Sequence, residues 1–469
     1  MSPQQKNGLI EPGPTRPAGW TLLAKNGRIS RMVEWNRPIN RRGVLTVFGT
    51  AALAALAPRS AWTQGLQTLS LQATTEMVAL RPGEARRPIW SLVGPAPTTA
   101  LRFDAGSQLE ISLGNELPVP IALNWRGLDG VPGVEPLTAQ APVPPGGKAI
   151  LRAGLRRAGT SICDVRLLGD GANLPSRPLP VVIEEGVRVP VDRDQVILVE
   201  DFRLRDDGTA LAPGLDLGET TTIHTVNGQI NPDIPVRSHE RLRIRLINAA
   251  YREIIAVKIE GLDVRVMALD GAPAEPFLAR NGALVLAPGG RADAVIDATI
   301  PPGSAAMVLL HDGKQAHPIA RFVASAEPPL RATPLPESLA LPSGDLPAKL
   351  DLRSAMRFDL ALGGPEWMRP RDFAVSAAPA FSTRRGRVVV LTLTNRSDRP
   401  AVFHLHGHHF RLLDRLDDGW KPYWLDTLAV EPAQTQRIAF PADHSGRWLV
   451  ESTIADWTAP TLLRWYSVE

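Results

Sequence analysis

The stretch VVVLTLTNRSDRPAVFHLHGHHF, Val388 to Phe410, consists of two short apolar runs separated by a turn that starts at an asparagine. β-Branched and alternating residues in runs of this length are typical of β-strands. The same phrase occurs twice earlier, as LEISLGNELPVPIAL from Leu109 and LRIRLINAAYREIIAV from Leu242. A repeat at roughly 130–150 residues is domain-sized, so it predicts three copies of one β-sandwich rather than a solenoid.

Each repeat is followed by a turn and another strand, written VPPGGKAIL, LAPGGRADAV and EPAQTQRIAF. No long stretch keeps a helical period, which argues against an α/β fold. The sequence therefore predicts an all-β protein of three Greek-key β-sandwich domains in tandem. We place them at residues 62–190, 191–335 and 336–469, the last beginning with a Pro-rich linker.

The composition is that of a globular, turn-rich protein, with 44 prolines and 39 glycines in 469 residues. The net charge of +4 comes from the first 61 residues, which hold nine Lys/Arg and two Asp/Glu, and the remainder is acidic. Without a basic stripe beyond residue 61, nucleic acid is not an expected partner. Cys163 is the one cysteine, so no intrachain disulfide can form.

Residues 1–61 are predicted to be a leader. The pair Arg41-Arg42 precedes an apolar run from Val44 to Ala57, which is too short to span a bilayer. Paired arginines before such a run are typical of signals for the twin-arginine translocase. We therefore expect export to the periplasm with no membrane span after cleavage, and translation starting at Met32 is an alternative.

Four of the nine histidines lie in FHLHGHHF. Strand alternation would place His404, His406 and His408 on one face and His409 on the other. Imidazoles on one face can clamp a metal ion, or they can form a hydrogen-bonded polar seam.

These segments resemble the multicopper oxidases. RPAVFHLHGHHFRLL and WLDTLAVEPAQTQRIAFPADHSGRWLVESTIADW are similar to the C-terminal cupredoxin domain of that family. TVNGQINPDIPVRSHERLRIRLINAA is similar to its second domain, and LNWRGLDG with VPPGGKAILRAGLRRAGTSICDV to its first. The resemblance implies three cupredoxin-like domains. In that family, eight histidines hold a trinuclear copper cluster, and two histidines and a cysteine hold a blue copper ion.

Most of those ligands are replaced here, and only His404 and His406 match the cluster histidines. Ser452 stands for the blue-copper cysteine, and a hydroxyl cannot supply its thiolate bond. By the same resemblance, the altered positions are Asn124, Arg126, Cys163, Val165, Ala401, Glu451, Ser452, Thr453 and Trp457. We expect oxygen reduction by the family mechanism to be absent.

Two interpretations of the remaining histidines stay open. In the first, which we favour, the pocket holds no cofactor and the histidines are hydrogen-bonding remnants. In the second, His404 and His406 hold one copper or zinc ion, with candidate ligands Glu451, Asp164 and Cys163. Because Arg126 and Glu451 both replace ligands of one cluster, we also predict an ion pair between them.

Two functions follow from these interpretations. The leading expectation is a non-catalytic periplasmic scaffold that binds envelope proteins, resembling the copper-free, SufI-like branch of the family, which serves cell division. The alternative is a copper-binding oxidoreductase of the multicopper oxidase type with an altered or single-metal site.

Overall fold

The computed structural model describes residues 66–469, apart from 96–98, 188, 314, 339, 343 and 415–418. These residues form three successive β-sandwiches of two sheets each, which confirms the predicted fold class. The predicted leader, residues 1–61, lies outside the described residues. Within the described part of the chain, no helix is long and apolar enough to cross a membrane.

The first sandwich has sheet orders β6-β4-β1-β2-β8 and β3-β9-β7-β5. Its strands are β1 (Leu66–Val78), β2 (Arg87–Val93), β3 (Leu101–Asp104), β4 (Gln108–Asn115), β5 (Asn124–Arg126), β6 (Lys148–Gly154), β7 (Gly159–Asp164), β8 (Ser176–Arg177) and β9 (Leu179–Glu184). Short 3₁₀ turns in the chain are Pro132–Val134, Arg280–Gly282 and Pro370–Asp372.

The second sandwich contains β10 (Arg193–Leu204), β11 (Ala210–Leu211), β12 (Thr221–Val226), β13 (Asp233–Val236), β14 (Arg241–Asn248), β15 (Ile255–Ile259), β16 (Arg265–Leu269), β17 (Ala272–Leu278), β18 (Ala283–Leu286), β19 (Arg291–Asp297), β20 (Ala305–His311) and β21 (Ala316–Ala324). One sheet runs β11-β10-β14-β19-β16-β17, with β12 also on β10, and the other runs β13-β21-β20-β15-β18.

The third sandwich contains β22 (Met356–Leu362), β23 (Ser382–Thr383), β24 (Val388–Asn395), β25 (Ala401–Leu405), β26 (Arg411–Leu412), β27 (Thr427–Val430), β28 (Thr435–Pro441), β29 (Gly446–Ile454) and β30 (Thr461–Val468). Its sheets are β22-β24-β28-β26 and β23-β30-β29-β25-β27. The domain boundaries near residues 190 and 335 remain predictions.

The asparagine that ends each repeated phrase has the same structural role in all three sandwiches. The amide nitrogens of Asn115, Asn248 and Asn395 each donate to the carbonyl of a residue four or five positions on and to a more distant carbonyl. The oxygen of each side chain accepts the backbone N–H two residues later. All three side chains are buried. An asparagine can satisfy both donors and acceptors of a buried turn, which explains its recurrence.

Four short strands bring the site together. In the first sandwich β5 pairs with β7, so Asn124 lies opposite Asp164. In the third, β25 pairs with β29, so His404 lies opposite Glu451. These two strand pairs face one cavity between the sandwiches.

Candidate functional site

A cavity of about 70 Å³, open to solvent on one side, lies where the first and third sandwiches meet the second. Among the residues lining it are six that the sequence singled out as candidates or altered ligand positions: Asn124, Arg126, Asp164, His404, Glu451 and Thr453. Residues far apart in the chain are thus gathered around one buried space, as the resemblance implied.

His404 and His406 converge, but His408 does not join them. Strand β25 ends at Leu405, and Gly407 then takes a left-handed φ of 73°. The two rings of His404 and His406 are 4.8 Å apart, centre to centre. His408 instead packs between the rings of Trp448 and Tyr466. The expected alternation of three histidines on one face is therefore wrong, because the strand stops before the third.

His404 presents an unpaired ring nitrogen. Its Nδ1 lies 3.0 Å from the Asp426 carbonyl oxygen, which can only accept, so Nδ1 carries the proton. Burial, together with the charge of Arg126, lowers the pKa of His404 to about 4, so the ring is neutral at pH 7. Its Nε2, which then holds a lone pair, is buried and has no hydrogen-bond partner among the residues that the structure describes. A neutral imidazole fixed through Nδ1 has the form of a metal ligand.

His406 lies between two carboxylates. Its Nε2 is 2.8 Å from Glu451 Oε1, and its Nδ1 is 2.9 Å from Glu135 Oε1. Burial opposes protonation, but the charges and hydrogen bonds of Glu135 and Glu451 raise the pKa of His406 to about 9. Glu135 follows the 3₁₀ turn of the first sandwich and was missed in the sequence, because a single acidic residue in an irregular segment carries no periodic signal.

The predicted ion pair between Arg126 and Glu451 is present. Arg126 Nη2 donates to Glu451 Oε2 at 2.6 Å, and the Asn124 amide donates to Glu451 Oε1 at 3.0 Å. Burial alone would raise the pKa of Glu451, but the charge of Arg126 and the contacts with His406 hold it well below its usual value. Glu451 is therefore an ionised carboxylate with donors on both oxygens.

The second altered motif faces the cavity with different residues from those expected. Cys163 and Val165 point into the core of the first sandwich, and burial raises the pKa of the Cys163 thiol well above its usual value. Alternation instead brings Asp164 and Arg166 to the cavity wall. Because Asp164 and Arg166 are two residues apart, strand alternation could have predicted that they lie on the same face. Cys163 is thus corrected from candidate ligand to core residue.

The remaining altered positions lie around the same strands. Ala401 is fully buried in the core of the third sandwich, and Ser452 is buried with a hydroxyl that pairs with no described residue. Thr453 lines the cavity. Trp457 packs edge-on against Tyr251 and donates to the Ala212 carbonyl, so it joins the third sandwich to the second.

Within the described ranges, the group that can hold an ion consists of His404, His406 and Glu451. One ligand atom from each lies within 4.8 Å of the others. Two imidazoles and a carboxylate are a competent ligand set for copper or zinc, and they leave one position open. Asp164 lines the cavity but does not belong to this group. The residues fit a single ion, and they do not fit a cluster built from eight histidines.

Comparison with known proteins connects this site to a family. Two family models, both described as multicopper oxidase, match residues 195–325 and 346–469, together more than half of the chain. Multicopper oxidase MmcO of Mycobacterium tuberculosis is 26% identical over 410 residues, covering 76% of this chain and 78% of that protein. A laccase of Haloferax volcanii is 28% identical over 283 residues, covering 53% of this chain and 47% of that protein.

Solved structures agree on the fold. A multi-copper oxidase from Pseudomonas thermotolerans has a TM-score of 0.74 at 22% identity, with 87% of this chain and all of that chain covered. Lac15, from a marine microbial metagenome, has a TM-score of 0.71 at 25% identity, with 86% and 100% covered.

These matches overturn the leading expectation about cofactors. The expectation that the pocket holds none is wrong, because both family models and the mycobacterial relative are multicopper oxidases, proteins that bind copper. It gave too little weight to the ligands that remain: the unpaired Nε2 of His404 is the kind of donor that such an ion uses. The expectation of a protein without oxidase activity finds no support in these matches.

The fold and the comparisons agree. The chain has three cupredoxin-like sandwiches with a histidine pair in the third, and the family models match the second and third sandwiches. The chain belongs to the multicopper oxidase family.

Proposed function

We propose that this chain is a copper-binding oxidoreductase that holds one copper ion through His404, His406 and Glu451. The observation that carries the proposal is the buried Nε2 of His404, which has a lone pair and no partner in the described part of the chain. Leaving such a nitrogen unsatisfied costs about 1–3 kcal/mol, whereas coordination uses it. Membership in a copper-binding family makes copper the expected ion.

Two further residues orient the imidazoles that we propose as ligands. The Asp426 carbonyl fixes the ring of His404, and Glu135 fixes that of His406, each through Nδ1. Such outer partners orient ligand imidazoles and raise their basicity. To hold an ion through Nε2, His406 would have to lose the proton on that nitrogen, while its Nδ1–H would continue to donate to Glu135.

Bound copper would supply one-electron redox chemistry. Ser452 offers no thiolate through which electrons could arrive from outside, so a reductant has to enter the cavity itself. The cavity has a solvent-facing mouth, and His404 and Glu451 both line its wall. Substrates are therefore expected to be small and polar.

The test is metal content by mass spectrometry after copper loading and dialysis. We expect one copper per chain in the native protein and none after His404 and His406 are both changed to Gln. His408→Gln is the matched control, since His408 is equally buried and lies in the same segment but outside the ligand group. A native protein that retains no copper would show the proposal to be wrong.

A second candidate function is a protein-binding role in the cell envelope, which includes the division-related scaffold resembled by the sequence. The Arg126–Glu451 pair favours it, because it joins the first and third sandwiches where the resemblance expects copper ligands.

We also propose periplasmic export by the twin-arginine route. Cell fractionation of the full chain with Arg41 and Arg42 changed to Lys tests this, and unaltered export would exclude it.

A further inference from the structure

The cavity beside the ligand group carries a positive charge that the protein does not balance once an ion is present. Arg252 pairs with Asp170 at 2.7 Å. Arg166 lies two residues from Asp164, and the opposite charges of these two side chains interact. Each of these two arginines thus has a carboxylate nearby that offsets its charge. The charges left over belong to Arg126, Glu451, Glu135 and the ion.

A divalent ion held by neutral imidazoles leaves this set with one excess positive charge. Arg126 contributes one positive charge and the ion two, against one negative charge each on Glu451 and Glu135. The Glu451 and Glu135 side chains are each less than one-tenth exposed. An unbalanced charge in such surroundings is costly. The loaded site therefore favours a ligand that brings a negative charge.

Arg126 is the cavity arginine with donors to spare. Its Nη2 donates to Glu451, and no other side-chain hydrogen bond of Arg126 is formed with the described residues. Arg252 uses all three of its side-chain nitrogens on Asp170 and backbone carbonyls. Arg166 donates to two carbonyls and lies 3.9 Å from the centre of the Tyr251 ring.

The backbone of the second sandwich leaves room for the Arg126 side chain. Gly289 has a φ of 82°, and a Cβ there would lie 2.7 Å from Arg126 Cδ and 2.9 Å from its Nε. Both residues line the cavity. The guanidinium is thus held at the cavity wall beside the ligand group, and its remaining N–H groups pair with no described side chain or carbonyl.

We propose that the cavity binds a small carboxylate, or a similar planar oxyanion, between Arg126 and the open position of the ion. This inference rests on the proposed single-copper site. A planar anion matches the N–H geometry of a guanidinium. It also cancels the excess charge and fills the position that the protein ligands leave open. Anion and ion then bind cooperatively, each strengthening the other by the same factor.

The test measures the copper dissociation constant by competition with a chelator, with formate as the probe and sodium perchlorate to equalise ionic strength. In the native protein, formate is expected to tighten copper binding at least several-fold. In Arg126→Gln, copper without formate binds at least as tightly as in the native protein, because a like charge is gone, and formate has no further effect. A merely structural role for Arg126 would instead weaken copper binding in both conditions.

Arg399→Gln is the control, since it removes one positive charge from an exposed residue outside the cavity, and it should keep the native response to formate. Copper binding that formate does not change in the native protein overturns the anion site alone. Absence of copper binding in both conditions overturns the proposed function and this inference with it.

Discussion

At the residue scale, the ion pair between Arg126 and Glu451 contributes to the free energy of unfolding, and this contribution can be measured. Glu451 is almost fully buried and Arg126 largely so. A double-mutant cycle with Arg126→Gln and Glu451→Gln should give a coupling free energy of about 1–3 kcal/mol, because the pair is shielded from water. Chemical unfolding of the four proteins measures it.

The matched control is the pair Arg321–Asp233, in which both side chains are half exposed. Its coupling is expected to be below about 1 kcal/mol, as for most solvent-exposed pairs. Equal coupling in the two cycles would mean that burial adds nothing to the Arg126–Glu451 contact.

Individual site residues could be predicted where a motif fixes their spacing. His404, His406 and the Arg126–Glu451 pair were accessible, because each occupies a definite position in a family motif. Glu135 was not, because it reaches His406 from an irregular turn of another sandwich. Strand alternation in β7 decides whether Asp164 or Cys163 faces the cavity. The sequence does not show which face of this strand is which, because both faces are buried.

At the scale of the element, Gly407 decides where strand β25 ends and which histidines meet. A Cβ at Gly407 would lie 2.3 Å from the Trp448 ring, and the residue has a left-handed φ of 73°. Gly407→Ala should therefore lower the free energy of unfolding by about 3 kcal/mol or more, from backbone strain and overlap together.

Gly363→Ala separates those two causes, because Gly363 has a φ of 71° but an added Cβ would meet no described atom within 4 Å. It should lower the free energy of unfolding by only about 1–2 kcal/mol, the strain alone. Thermal or chemical unfolding of both variants measures the difference. Equal losses would show that Trp448 moves aside freely and that packing does not hold the turn.

The strands themselves could be predicted from alternation and from the repeated asparagine. Asn115, Asn248 and Asn395 mark one turn three times, and this local chemistry does not depend on distant contacts. The end of β25 could not be predicted, because it depends on a tryptophan from β29 that comes close only after folding.

At the scale of the whole molecule, polar side chains hold the three sandwiches together. Arg291 of the second sandwich is fully buried and reaches both carboxylate oxygens of Asp426 in the third, at 2.6 and 3.1 Å. It also donates to the Thr160 carbonyl in the first, at 3.0 Å. A network of this kind fixes the relative placement of the sandwiches, since each partner is costly to leave unpaired.

His409 forms a second such junction, and its charge makes the junction sensitive to pH. Its Nδ1 lies 2.6 Å from Asp129 Oδ2 in the first sandwich, and its Nε2 lies 2.8 Å from the Asp270 carbonyl in the second. Both partners accept, so both ring nitrogens carry protons and the ring is charged. Burial and the nearby Arg157 oppose this charge, but Asp129 raises the pKa of His409 above its ordinary value.

A raised pKa in the folded state contributes stability that is complete below about 6.5 and is lost as the pH rises through the folded value. The native protein should therefore exceed His409→Gln in free energy of unfolding most at pH near 6, and this difference should shrink toward pH 9. Chemical unfolding at several pH values measures it, with His317→Gln, a change at a more exposed histidine, as the control. A difference that stays constant or grows with pH would mean that the His409 ring is neutral, so that one of its two contacts cannot be a hydrogen bond.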